Sequence, residues 1–512
     1  MFFMASASVL KDRGAVLCIY YMAVFCSASP AMAHLPHNLT EHFISVPLDH
    51  TAPWTGRILR MRYLLDTTHF ERGGPIVAYT GNEGDIEGFA SACGFLWELA
   101  VRFSGAVVFM EERYYGKSIP AQTKSEPRYR YLASAHVVAD FALTLASLRE
   151  QFNTSKVIAV GGSYGGMLAA LLRKQHPDLV SAALAASAPM LGFATTLLKQ
   201  HRATHFWEIA ERAYPCRDTL GAAFRALWAA PAAAWPQIGA DFGLCPSHGI
   251  RDQLAIESLI GFLQQQLSNL AFSNYPYAVG EMPANPTLVA CSKAEWSRHS
   301  PGEAQYLGAA ENSWPRPTPS EATAARRAAA GWLPLRDALS WYYQRDGACL
   351  SLEPSFTAYT PGFLPGPWTF QRCTDLVMAF EVPTTSRMAL PCAAGFRANC
   401  AADGQAALRT FCNATFGATV PDPAKLQDLW GSDWTAAGGG SRIIFSNGDL
   451  DPWAYGGVLD SVAGGASDGP LVVHIAAGAH HLDLRGSHPH DPPSVVAARE
   501  YEAAALGRWI GF

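Results

Sequence analysis

The chain lacks any excess of one charge: 38 lysines and arginines stand against 43 aspartates and glutamates, a formal net charge of −5 over 512 residues. No block of basic residues occurs, so neither nucleic acid nor an anionic membrane surface is an expected partner. Long hydrophobic runs are missing beyond the first 33 residues, which leaves no membrane span once that segment is removed. The cysteines form no C-x-x-C pair, and no metal or other cofactor is expected. Internal repeats and low-complexity tails are absent as well. What is present is a hydrophobic fraction of 49%, ample for a large core, in a chain long enough for several domains or for one large domain carrying an insertion.

Residues 1–33 read as a secretory signal peptide. Lys11 and Arg13 precede an apolar run from Gly14 to Cys26, and Ala31-Met32-Ala33 offers a small-x-small cleavage site. The run is shorter than the roughly 20 residues a spanning helix needs. The route is therefore secretory, ending outside the cell or in a lysosome-like acidic vesicle. Cysteine usage agrees with that route. Of 11 cysteines, Cys18 and Cys26 leave with the signal and Cys93 lies in an apolar segment as a buried free thiol. The other eight, Cys216, Cys245, Cys291, Cys349, Cys373, Cys392, Cys400 and Cys412, fall in one stretch and allow up to four disulfides. Sequons at Asn38, Asn153 and Asn413 permit glycosylation.

Strand and helix signals alternate from Arg57 to Pro189. Strands are expected at Ile58 to Leu65, Pro75 to Tyr79, Ala106 to Met110, from Val157, and at Leu179 to Ala186. Helices are expected at Gly88 to Phe103, Ala135 to Phe152 and after Ser163. Such alternation predicts a mostly parallel sheet covered on both faces. Between about 191 and 437 the texture changes to helix-like segments at Ala203 to Ala213, Asp252 to Leu270 and Glu321 to Arg345, with the clustered cysteines among them. Strand signals return at Arg442 to Ser446 and Leu471 to Ile475, and Ser494 to Ile510 reads as a closing helix. The expectation is an α/β-hydrolase fold in two parts, 34–190 and 438–512, interrupted by a helical, disulfide-rich cap over 191–437.

Gly161-Gly162-Ser163-Tyr164-Gly165 sits between the apolar run Val157 to Val160 and the helical Met167 to Leu172. A serine at such a strand-to-helix turn is pushed out at the top of a sheet, and the first and last glycines admit the sharp bend. Its hydroxyl is a poor nucleophile without a histidine to take the proton and a carboxylate to orient that histidine. Both appear later, in loops past returning strands: Asn447-Gly448-Asp449-Leu450-Asp451-Pro452-Trp453, then Gly478-Ala479-His480-His481-Leu482-Asp483. Spacing alone does not separate Asp449 from Asp451 or His480 from His481. For the oxyanion, one backbone donor is expected at Tyr164 and the other in the loop Thr80 to Gly84, at Gly81.

These motifs, together with Glu112-Arg113-Tyr114-Tyr115-Gly116-Lys117-Ser118, resemble the secreted and lysosomal serine peptidases that include Pro-Xaa carboxypeptidase and dipeptidyl peptidase II. The resemblance implies Ser163 as nucleophile, Asp451 of the Asp-Pro-Trp triplet as acid and His480 as base, with His481 and Arg485 supporting them. It implies cleavage at prolyl bonds of peptide substrates that carry proline near a terminus, with Pro-Xaa carboxypeptidase ahead of dipeptidyl peptidase; a homodimer stays open. Met167 and Trp453 are candidate walls of an apolar proline slot, and Glu83 or Asp85 a candidate reader of a substrate amine. The chain departs from the family at Glu112, where the usual residue is histidine.

Overall fold

The computed structural model describes residues 38–121, 127–193, 202–246, 249–296, 330–343, 349–350, 366–378, 381–391, 401–431, 433–435, 438–460 and 468–512. The expected signal, Cys392, Cys400 and the 321–329 and 344–345 portions of one expected helix lie outside them. Eight strands form one sheet: β1 (Thr40–Pro47), β2 (Ile58–Asp66), β3 (Ile76–Thr80), β4 (Ala106–Met110), β5 (Val157–Gly162), β6 (Ala182–Ala186), β7 (Ile443–Gly448) and β8 (Leu471–Ile475). Their spatial order is β1-β2-β4-β3-β5-β6-β7-β8. The first two pairings, β1 with β2 and β2 with β4, are antiparallel, and all later ones are parallel.

Central strands β3 to β7 are buried along their whole length, as parallel strands covered on both faces are. Their residues alternate between two cores. Ala78, Ala159, Ala185 and Phe445 face one layer, and Val77, Ile158, Leu184 and Ile444 face the other. Helices α3 (Ser134–Phe152) and α4 (Tyr164–Gln175) cover the first face. The other face is covered by α1 (Ile86–Ala92), α2 (Phe95–Phe103) and α14 (Pro493–Ile510). The expected helix from Gly88 to Phe103 is thus two helices, broken where Gly94 meets the Gly486 backbone. A Cβ there would lie 2.6 Å from Gly486 Cα. Strand β1, not expected from the sequence, is a part-exposed edge whose Thr-Glu-His start carries little apolar alternation.

Between β6 and β7 the chain is helical: α5 (His205–Arg212), α6 (Arg217–Trp228), α7 (Trp235–Asp241), α8 (Gln253–Phe272), α9 (Pro286–Trp296), α10 (Leu333–Tyr343), α11 (Pro367–Thr374), α12 (Ala401–Phe416) and α13 (Pro423–Trp430). Helices α5 to α10 build a core of their own around Phe224, Leu263 and Leu339. Residues of α11 to α13, including Leu408, Leu426 and Trp430, instead join the core on the first face of the sheet. Disulfides Cys216–Cys291, Cys245–Cys349 and Cys373–Cys412 tie this insertion, and Cys93 is a buried free thiol. The architecture is an α/β-hydrolase fold with a helical, disulfide-bonded insertion.

The segment leaving β4 is anchored by a buried ion pair. Arg113 donates to both oxygens of Asp140 at 2.7 Å and to the carbonyls of Leu48, Tyr131 and Pro47. Both side chains are fully buried. Removing one partner strands a charge in a low dielectric. Asp140→Ala is therefore expected to lower unfolding stability by about 3 kcal/mol or more, read as a lower urea midpoint, with Asp140→Asn losing less.

Candidate active site

The turn after β5 carries Ser163 at φ 57°, ψ −127°, a conformation costing about 1–3 kcal/mol for a side-chain-bearing residue. The surrounding packing holds it there. Ser163 N donates to Ala186 O of β6 at 2.9 Å, and Met167 N returns to Ser163 O at 3.0 Å. A Cβ on Gly161 would lie 2.2 Å from Gly165 O, and one on Gly165 2.6 Å from Thr80 O. Those two positions need glycine because backbone passes where a methyl would sit. Thr80 Oγ1 donates to Val160 O and Gly165 O at 3.1 and 2.7 Å, clamping the end of β3 onto the turn. Ser163 itself is partly exposed.

The loops after β7 and β8 converge on one pair. His480 Nδ1 and Asp451 Oδ2 are 2.9 Å apart, and Asp451 Oδ1 accepts from Trp453 N at 3.0 Å. Asp451 is fully buried and His480 is 3% exposed. Asp449 is exposed instead, its carbonyl accepting from Arg212. His481 turns away from Asp451. Its N–H donates to Ser187 Oγ at 2.8 Å, and its ring lies against Gly162, where a Cβ would be 2.9 Å from Cδ2. Burial, followed by the neighbouring His480 and Arg485, holds the His481 imidazole well below its usual value, so it is neutral near neutral pH. An imidazole bonded to a buried carboxylate through Nδ1 leaves Nε2 for proton transfer.

The insertion holds that imidazole in place. His480 N donates to Phe272 O at the end of α8, and Tyr275 Oη donates to His480 O at 3.1 Å. Phe272 stacks on Trp453 at 5.7 Å between centroids and packs on the His480 ring at 5.6 Å. Arg485 lies over the Tyr275 ring at 4.9 Å. From below, Ser446 Oγ donates to Asp483 Oδ2 at 2.5 Å. Arg499 of α14 binds the carbonyls of Asp483 and Leu482 and the Asp491 carboxylate. Phe272, Tyr275 and Ser187 belong to none of the motifs read in the sequence, because their role comes from contacts with residues more than 200 positions away.

Other expected positions distribute as follows. Tyr164 is buried at the start of α4. Met167, one turn on, lies fully buried in the core, and Trp453 is half-buried against Phe272, Phe206 and Tyr455. Glu83 is partly exposed and accepts from Asn82 Nδ2 at 2.8 Å. Desolvation raises its carboxyl, with His480 acting against that shift. Asp85, exposed, caps α1 through Glu87 N and pairs with the buried Arg62. Gly81 is a correction: its N–H donates to Met110 O at 3.0 Å, extending the β3–β4 pairing, and is not free for an oxyanion. Among the described residues no cluster of metal-ligating side chains occurs, and no helix is long and apolar enough to cross a membrane. Asn38, Asn153 and Asn413 all have exposed side chains.

Residues 46–275 and 356–502 match the profile of a family described as Serine carboxypeptidase S28. Lysosomal Pro-X carboxypeptidase of Homo sapiens is 31% identical over 504 residues, covering 94% of this chain and 90% of that one. Prolyl carboxy peptidase like protein 5 of Caenorhabditis elegans is 31% identical, with 93% and 90% covered. Thymus-specific serine protease of Mus musculus is 26% identical, with 92% and 87% covered. Among solved structures, an alpha/beta fold family hydrolase from Bacillus anthracis str. Sterne overlaps 34% of this chain and 47% of that one, at 18% identity and a TM-score of 0.20.

The buried acids give stability a pH dependence of definite sign. Asp483 and Glu502 are raised first by burial, and Glu502 further by Asp483 beside it. A carboxyl raised on folding binds more protons when folded, so its contribution is complete at low pH and is lost as pH rises. His481, lowered on folding, acts oppositely, but only below its unfolded value of about 6.5. Above about pH 6.5 the His481 contribution is constant, so the carboxyls raised well above their ordinary values, Glu502 and Glu112, are expected to make the thermal midpoint at fixed ionic strength fall as pH rises. Glu502→Gln flattens that slope; a level or rising midpoint in the parent protein contradicts it.

Proposed function

The chain belongs to the serine carboxypeptidase S28 family and is a serine peptidase, and on that premise we propose that it is a Pro-Xaa carboxypeptidase working through Ser163, Asp451 and His480. The observation that carries the triad reading is the buried Asp451–His480 hydrogen bond in a site closed by the same sheet that bends the chain at Ser163. His480 takes the Ser163 proton as the oxygen attacks the prolyl carbonyl. The proton then passes to the departing amine, leaving an acyl-enzyme that water, activated by the same imidazole, hydrolyses. Asp451 fixes the tautomer and offsets the imidazolium charge. The oxyanion is received by the Tyr164 N–H and, with Gly81 engaged elsewhere, by the N–H of the next residue, Asn82.

Trp453, half-buried against Phe272, suits one wall of a slot for a compact proline ring, whereas Met167 is fully buried in the core and lines no such slot. The names of the Pro-X carboxypeptidase relatives, at near full-length coverage, support release of a C-terminal residue after proline. Their lysosomal names, with the leader read in residues 1–33, support an acidic vesicle of the secretory route. One observation favours a second reading, dipeptidyl peptidase action: Glu83 places a partly exposed acid close enough to His480 to interact electrostatically, where a substrate's free amine could pair with it.

Two peptides separate these readings, one with a blocked amine and a penultimate C-terminal proline, the other with a free N-terminal Xaa-Pro. Release of the last residue from the first is the expected result, and release of a dipeptide from the second alone would establish the other activity. Ser163→Ala is expected to lower kcat at least about 10³-fold and Asp451→Asn about 10⁴-fold, with KM little changed. Full activity in Ser163→Ala rules the mechanism out.

A further inference from the structure

Behind the Ser163 turn lies a buried polar hub that the reaction as described does not use. Glu112, in the segment leaving β4, is fully buried. Its Oε1 accepts from Tyr164 Oη at 3.1 Å and from Gln371 Nε2 of α11 at 2.7 Å. Gln371 Nε2 also lies 3.0 Å from Tyr164 Oη, so the three side chains close a triangle. Tyr115 Oη donates to Gln371 Oε1 at 2.6 Å, and Ser134 Oγ lies 3.1 Å from Tyr164 Oη. Ser134 N in turn donates to Asp375 Oδ2 at 2.6 Å. Three separate pieces of chain meet there: the β4 exit, the start of α4, and an insertion helix tied by Cys373–Cys412.

We propose that Glu112 is a positioning residue for acyl transfer: with Gln371 it holds the Tyr164 side chain, and so the backbone N–H that follows the nucleophile, in line with the developing oxyanion. The inference rests on Ser163 as nucleophile and Tyr164 N–H as oxyanion donor. An oxyanion donor contributes when charge develops, so sub-ångström slack at Tyr164 costs turnover and leaves ground-state binding alone. The hub is built on the one motif position where this chain carries glutamate in place of the family's usual histidine.

The charge state of Glu112 fits that role. Its Oε2 has no hydrogen-bond partner among the described residues, an arrangement a neutral carboxyl tolerates better than a carboxylate. Burial pushes the carboxyl well above its ordinary value, and Glu83 and Asp375 push the same way, against the hydrogen bonds from Gln371 and Tyr164. The groups facing it are Glu83 from the loop after β3, Asp375 after α11, Tyr164 of α4 and Tyr115 of its own segment. Ionisation at rising pH would set a charge in a dry core against Glu83 and Asp375, a repulsion that the hydrogen bonds from Gln371 and Tyr164 offset only in part.

The test compares Glu112→Ala, Glu112→Gln and Ser163→Ala on the proline peptide that the parent protein cleaves, with melting curves to confirm folding. Glu112→Ala is expected to lower kcat about 10-fold or more with KM within about twofold. Glu112→Gln, a neutral isostere, keeps kcat within about threefold at acidic pH and extends activity further to the alkaline side, because the amide does not ionise. If Glu112→Ala does not fold, the Glu112→Gln pH profile decides alone. Unchanged kcat in Glu112→Ala, or a Glu112→Gln profile that overlays the parent's, overturns the proposal. An active Ser163→Ala instead fails the nucleophile assignment, whatever the Glu112 variants do.

Discussion

The parallel pairing of β6 with β7 is the constraint on which the rest of the molecule depends. Ala183 to Ala186 pair with Ile443 to Ser446, and Ser187 N continues the ladder to Ser446 O. On one side of that seam, Ala186 O takes the Ser163 N–H; on the other, β7 leads straight into the loop of Asp451. A strand returning after some 250 intervening residues pays a large loop-closure entropy, but that cost grows only slowly with loop length. Two fully buried faces and the disulfides within the loop offset it.

The insertion is part of the site. Its α8 end meets His480 through Phe272 and Tyr275, and α11 reaches Tyr164 through Gln371. The imidazole is therefore positioned from three directions: Asp451 at its Nδ1, the α8 end at its backbone, and the Phe272 ring at its face. The carboxylate pair Asp483 and Glu502 beneath the histidine loop is a different kind of support. Carboxyls raised on folding stabilise the fold more as pH falls.

Sequence reading succeeded where one residue type answers to one local rule. The apolar runs of β3, β4, β5 and β7 admit only buried strands, and Gly161 and Gly165 flank Ser163 because backbone occupies the space of a side chain. It failed where the deciding neighbour is remote. Gly94 splits one expected helix because Gly486 crosses it, and strand β1 exists because β2 offers it a partner despite weak alternation. Gly81 has the small size and loop setting of an oxyanion donor, yet its N–H is taken by Met110 O, a pairing set by sheet register.

The strand-turn-helix around Ser163, the order serine, acid, histidine, and the cysteine-bearing helical stretch between them were legible before any fold, since local sterics and hydrophobic periodicity are written in neighbouring residues. Spacing left Asp449 level with Asp451 and His480 level with His481; the fold brings Asp451 and His480 together, the pair that the family motifs implied. It also made Glu112, Tyr164 and Gln371 one hydrogen-bonded unit. Those choices depend on loop geometry at a few ångströms and on desolvation in a closed core. Neither quantity exists until β7 has found β6.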